Sequence, residues 1–183
     1  EVEKAVLLIL KERKDLEAAV IVLDTSGAVK GMLGGRSFYK SQFNRATQSQ
    51  RQTGSVFKLF TYLSALELGM DAYDKIEDIP LELDGWTPKN YNKKYKGVIS
   101  LKEAFSISSN VAAIRLQEIS GRKNVIKWAK KLGVSSNLRT ERSLSLGSQS
   151  VSLIEMTNAY AAVASGGVTP FIHGVETISD RKG

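Results

Sequence analysis

Cysteine is absent from this 183-residue chain, which excludes disulfides and thiolate metal sites and leaves the compartment open. Histidine occurs once, at His173, so a histidine metal cluster is excluded and a Ser-His-Asp triad is disfavoured. A serine enzyme built from these residues needs another base, and lysine is the recurring alternative. Long apolar runs are missing too. Val6 to Leu10 is bracketed by charge and falls short of the roughly 18 residues that a membrane span needs. No secretory leader, internal repeat or low-complexity segment is visible. No pattern calls for a cofactor or a metal.

What is present suffices for a real core, since 42% of the residues are apolar. The net charge of +7 points to anionic surroundings such as acidic glycans, lipid headgroups or nucleic acid. Lys89, Lys93, Lys94 and Lys96 alternate with Tyr91 and Tyr95, which would suit a non-catalytic cationic module that binds glycan or nucleic acid. No known nucleic-acid module signature accompanies them, and a solvated basic face is the plainer reading, so no nucleic-acid partner is expected.

The patterning predicts an α+β chain. Residues 2 to 17 read as a charged amphipathic helix. Ala18 to Leu23 and Ala28 to Leu33 read as a hairpin around Asp24-Thr25-Ser26-Gly27. Asp71 to Gly97 reads as loop. Ser100 to Glu103 and Ser152 to Glu155 are capping boxes, the first opening a helix to about Ile107, the second one that ends at Gly166-Gly167. Helices are also expected from Val111 to Gly121 and from Lys123 to Leu132. A lone hairpin is a marginal sheet, and only Gly174 to Ile178 offers it a further strand.

The most informative pair is Ser55 and Lys58, at the start of a run in which Glu67 is the only other charge as far as Met70. A helix apolar nearly all round is a buried one. In its first turn Lys58 meets the positive end of the helix dipole, and burial further disfavours the ammonium. A neutral amine three residues from a hydroxyl can take its proton and make it a nucleophile. Ser-x-x-Lys alone is weak: Ser37 to Lys40 repeats it in a polar loop, and Ser120 to Lys123 across a helix stop at Gly121. Only Ser55 opens a buried helix.

Around this pair the chain resembles the transpeptidase module of class A, bifunctional penicillin-binding proteins. The likeness rests on Arg51-Gln52-Thr53-Gly54-Ser55-Val56-Phe57-Lys58 and on Ser108-Ser109-Asn110, which fits the family's Ser-x-Asn element. Gly34 to Ala46, Trp86 to Tyr91 and Leu146 to Tyr160 extend it to roughly residues 18 to 180. Thr53 and Leu59 stand where proline is usual. Ser135-Ser136-Asn137 follows a helix stop and reads as a turn.

The resemblance implies a penicillin-binding protein and serine β-lactamase-like fold, an antiparallel sheet backed by helices plus a helical subdomain, here mostly helical with an incomplete sheet. It divides the chain into a helix or linker over 1–17 and the first portion of the transpeptidase domain over 18–183. Ser55 would be acylated by the D-Ala-D-Ala stem peptide of peptidoglycan, carried on glycan strands derived from lipid II, and by β-lactams. Lys58 would be general base, Ser108 a proton relay, and Asn110 a partner of Lys58 and of substrate. Gly54 and Ser109 would line the substrate.

No Lys-Ser-Gly or Lys-Thr-Gly triplet occurs, so the expected chain stops before that motif and is a poor or inactive transpeptidase by itself. A glycosyltransferase module and membrane anchor would lie upstream, placing the whole protein on the periplasmic face of the membrane. A serine β-lactamase-like hydrolase is the nearest rival. It needs a deacylating base on a Glu-x-x-x-Asn loop, and no glutamate here has asparagine four residues on.

Overall fold

A computed structural model describes residues 1–13 and 15–179. Lys14 of the expected first helix and the last four residues of the expected domain lie outside the described residues. In chain order the elements are α1 (Val2–Ile9), β1 (Val20–Leu23), β2 (Val29–Leu33), β3 (Gln50–Gln52), a 3-10 turn (Gly54–Phe57), α2 (Lys58–Glu67), β4 (Lys75–Asp78) and β5 (Gly97–Ser100). Then follow α3 (Leu101–Ser106), α4 (Asn110–Ser120), α5 (Arg122–Lys131), a 3-10 turn (Leu144–Leu146), β6 (Ser150–Ser152) and α6 (Leu153–Ala164). The chain forms two compact units: one of Glu1–Arg51, Lys131–Ser136 and Val151–Gly183, the other of Gln52–Lys130 and Asn137–Ser150.

In the first unit β1 and β2 pair antiparallel, as the sequence predicts, with a register shift between Val22 and Leu23. Asp24 shapes the turn, its Oδ1 accepting from the Ser26 and Ala28 amides at 2.9 and 3.0 Å. α6 packs on β1 and buries Met156, Ala159 and Ala162. Its start is the expected capping box: the Ser152 hydroxyl accepts from Glu155 N–H, and the Glu155 carboxylate accepts from Ser152 N–H.

Two expectations fail here. The helix predicted over 2–17 stops at Ile9, because apolar spacing lapses after Leu10 and nothing buries the charged stretch that follows. The strand considered at Gly174 to Ile178 does not form. Instead His173 makes an isolated parallel bridge with Ala28, its carbonyl accepting from Val29 N–H at 2.9 Å.

In the second unit α2 packs against α4, whose small buried residues Ala112 and Ala113 allow close approach. Tyr62, Ala65, Ile76, Ile99, Leu101 and Leu116 complete that core with Met70 against it. The stretch predicted as loop from Asp71 to Gly97 holds β4, and Gly97 itself begins β5. The two pair antiparallel, with Ile76 opposite Ile99 and Asp78 opposite Gly97. Strand alternation turns Ile76 and Asp78 inward and Glu77 outward, where Arg115 meets it at 3.2 Å. The Lys75-Ile76-Glu77-Asp78 run is short and three-quarters charged, so its one apolar residue carries little period-two signal.

Candidate active site

The long helix expected at Ser55 begins as a 3-10 turn over Gly54–Phe57 and becomes α-helical at Lys58. Gly54 has φ 59°, a conformation that favours glycine, and it holds the turn that presents Ser55. Ser55 is exposed, whereas Phe57, Lys58, Leu59 and Phe60 are buried. The nucleophile candidate therefore stands at the rim and its amine neighbour inside.

Lys58 is 1% exposed, and burial lowers its amine to about 8 from the 10.5 of an ordinary lysine. Three oxygens surround Nζ: the Ser108 carbonyl at 2.6 Å, the Ser108 hydroxyl at 3.0 Å and Asn110 Oδ1 at 2.7 Å. As an ammonium, Nζ donates to all three. As a neutral amine it donates to the two carbonyl-type oxygens and presents its lone pair to the Ser108 hydroxyl. Among the described residues no hydrogen bond joins Ser55 Oγ to this cluster.

Ser108 and Asn110 reach Lys58 because two helices end back to back. α3 closes in a Schellman motif: Ser109 N–H donates to Ala104 O at 2.9 Å and Ser108 N–H to Phe105 O at 3.0 Å. Ser108 occupies the left-handed position of that motif with φ 55°, where glycine is usual. Ser109 then caps α4, its hydroxyl accepting from Ala112 N–H at 3.1 Å. The expected break is present and aims Ser108 and Asn110 at the amine.

Ser109 lies between these two residues in the sequence. It is 3% exposed, and its hydroxyl, besides capping α4, donates to Asp78 Oδ1 at 2.7 Å. The helix junction turns its hydroxyl toward Asp78, while the residue also borders the cavity beside the site.

Behind the junction lies a buried polar group that sequence reasoning missed. Asn90 Oδ1 accepts from the Asn110 amide at 2.8 Å, while its Nδ2 donates to Asp78 Oδ1 at 2.7 Å and Lys94 O at 2.9 Å. Asp78 Oδ2 accepts from Lys96 N–H at 2.9 Å. Asn110 Nδ2 donates to Lys89 O at 2.9 Å, so both ends of its amide are held. The basic loop thus contributes backbone carbonyls and Asn90 inward while Tyr91 is fully exposed. A cavity of about 460 Å³, lined in part by Tyr91, Tyr95, Ile107 and Ser108, opens beside it.

Gly147 was also missed. The carbonyl of Gly147 accepts from Gly54 N–H at 3.3 Å, and a Cβ on Gly147 would lie 2.2 Å from Gly54 O. Gln117 of α4, fully buried, holds this loop by accepting from Ser145 N–H at 2.7 Å and donating to Arg142 O at 2.9 Å. The other Ser-x-x-Lys pairs are not sites. Ser37 and Lys40 share a surface turn, and Ser120 ends α4 at Gly121.

The family model described as penicillin binding protein transpeptidase domain matches residues 18–182, and the chain belongs to this family. Among curated relatives it is 36% identical over 177 residues to penicillin-binding protein 1A of Neisseria meningitidis, covering 92% of the chain and 22% of that protein. The corresponding protein of Rickettsia felis is 35% identical over 181 residues, covering 95% of the chain and 23% of the relative. The chain therefore spans less than a quarter of either relative's length.

Among solved structures, penicillin-binding protein 1A from Haemophilus influenzae superposes with TM-score 0.84 at 33% identity, over 91% of this chain and 26% of that one. PonA1 from Mycobacterium tuberculosis, in complex with penicillin V, gives 0.85 at 28% identity over 93% of this chain and 50% of that one. The fold is that of the penicillin-binding transpeptidase domain, as the resemblance implies.

Proposed function

We propose that these residues carry the acylation half of a peptidoglycan D,D-transpeptidase. Ser55 attacks the carbonyl of the D-Ala-D-Ala bond, Lys58 takes its proton, and the displaced D-alanine amine receives a proton through Ser108. Asn110 keeps Nζ in place. The backbone N–H of Ser55, at the start of the 3-10 turn, supplies one oxyanion donor. Gly54 sets that turn and borders the substrate. β-Lactams acylate the same hydroxyl, in keeping with the penicillin V complex of the PonA1 relative. The acceptor strand is another stem peptide, and the whole protein works on the periplasmic face of the membrane. No described helix is long and apolar enough to cross that membrane.

One observation carries this reading: a buried lysine amine, lowered to about 8, held by Ser108 and Asn110 one helical turn from an exposed serine. The family's Lys-Thr-Gly donor is not among these 183 residues, so acylation by them alone is slow. Prolonged incubation with a labelled penicillin, followed by peptide mass analysis, is expected to place one adduct on Ser55 and none in Ser55→Ala. An adduct elsewhere, or adduct formation undiminished in Ser55→Ala, contradicts the assignment.

A further inference from the structure

Asp78 is 1% exposed, yet among the described residues no cationic side chain pairs with it. A buried carboxylate without an ion partner is costly unless its oxygens are filled with donors. Here they are: Asn90 Nδ2 and Ser109 Oγ on Oδ1, and Lys96 N–H on Oδ2. The charge also sits against the N-cap of α4, a helix with no acidic residue in its own first turn, at the positive end of its dipole.

Asn90 is placed between this carboxylate and the site. With its Nδ2 committed to Asp78, its Oδ1 has to face the α4 terminus. There it accepts from the Asn110 and Val111 amides at 2.8 and 3.3 Å. The carboxylate therefore decides which way round the Asn90 amide lies, and that orientation fixes the backbone from which Asn110 reaches Lys58.

We infer that Asp78 and Asn90 are positioning residues for the Lys58 amine, acting through the first turn of α4 and the Asn110 side chain. The inference rests on the catalytic reading above for its consequence, though not for its geometry. Released from Asn90, Asn110 no longer offers Nζ a fixed acceptor, and the base that serves Ser55 loses its aim.

The test has two readouts in the same variants. In Asn90→Ala, the rate constant for penicillin acylation of Ser55 is expected to fall about 100-fold, with the affinity of the non-covalent encounter within threefold of the parent. Separately, the Lys58 titration followed by NMR of its ε-methylene should move down by half a unit or more, because an acceptor that favours the charged form is gone while burial remains.

Asn90→Asp sets two carboxylates face to face. The exchange Asp78→Asn with Asn90→Asp restores a donor opposite an acceptor, and should recover acylation at least tenfold over Asn90→Asp. A Lys58 midpoint in Asn90→Ala at or above the parent's overturns the inference, as does an exchange variant no faster than Asn90→Asp. If Asn90→Ala fails to fold, the exchange pair decides. If the parent forms no Ser55 adduct, the titration alone judges the positioning.

Discussion

Ser108 is the residue where folding and chemistry conflict most openly. Its left-handed backbone is the place for a glycine, and a side chain there costs on the order of 1 kcal/mol. Ser108→Gly keeps the carbonyl that binds Lys58 and removes only the hydroxyl. Thermal unfolding of that variant should occur roughly 2–4 °C higher, while penicillin acylation falls at least tenfold. Gly147 has the opposite character. Gly147→Ala drives a methyl group into the Gly54 backbone and is expected to cost about 3 kcal/mol. Chemical denaturation measures that loss, and adduct formation on Ser55 should be lost with it.

At the scale of elements, α4 is the frame of the site. Its first residue holds the amine, and Gln117 two turns on holds the loop that supports Gly54. Its position was readable from the helix stop at Gly121 and from the Ser-Ser-Asn break. The hydrogen-bond partners were not readable, because Asp78 and Asn90 come from a hairpin and a loop whose short strands carry almost no periodic signal. The hydrophobic pattern around Ser55 announced a buried helix correctly, but could not show that its first turn is 3-10 and leaves Ser55 outside.

The start of α6 carries a pH test. Burial pushes the Glu155 carboxyl up, but bonds from Ser135, Ser152 and Ser136 outweigh it and hold the group well below the usual carboxylate range. A depressed carboxyl stabilises fully above its unfolded value near 4.5, and that contribution fades as the pH falls below it. Glu155→Gln turns a donor toward the serine donors and should cost about 1–2 kcal/mol at neutral pH. The gap from the parent should narrow progressively in denaturation series below pH 4.5.

At the scale of the molecule, family and fold were both legible, because two motifs and several longer stretches agreed. The candidate base, relay and amide partner of the site all lie in the unit of Gln52–Lys130 and Asn137–Ser150, so its electrostatics can be read within that unit alone. Desolvating Lys58 disfavours the folded state below about pH 8, and the penalty fades as the pH rises from there toward 10.5. The acylation rate should accordingly rise with pH and level off above about 8. The most direct measurement is the titration of Lys58 itself, by NMR of its ε-methylene, with Lys58→Arg to assign the signal. A midpoint near 8 is the expected result. A midpoint at the ordinary 10.5 would mean a permanently charged lysine and would contradict the assignment of Lys58 as base.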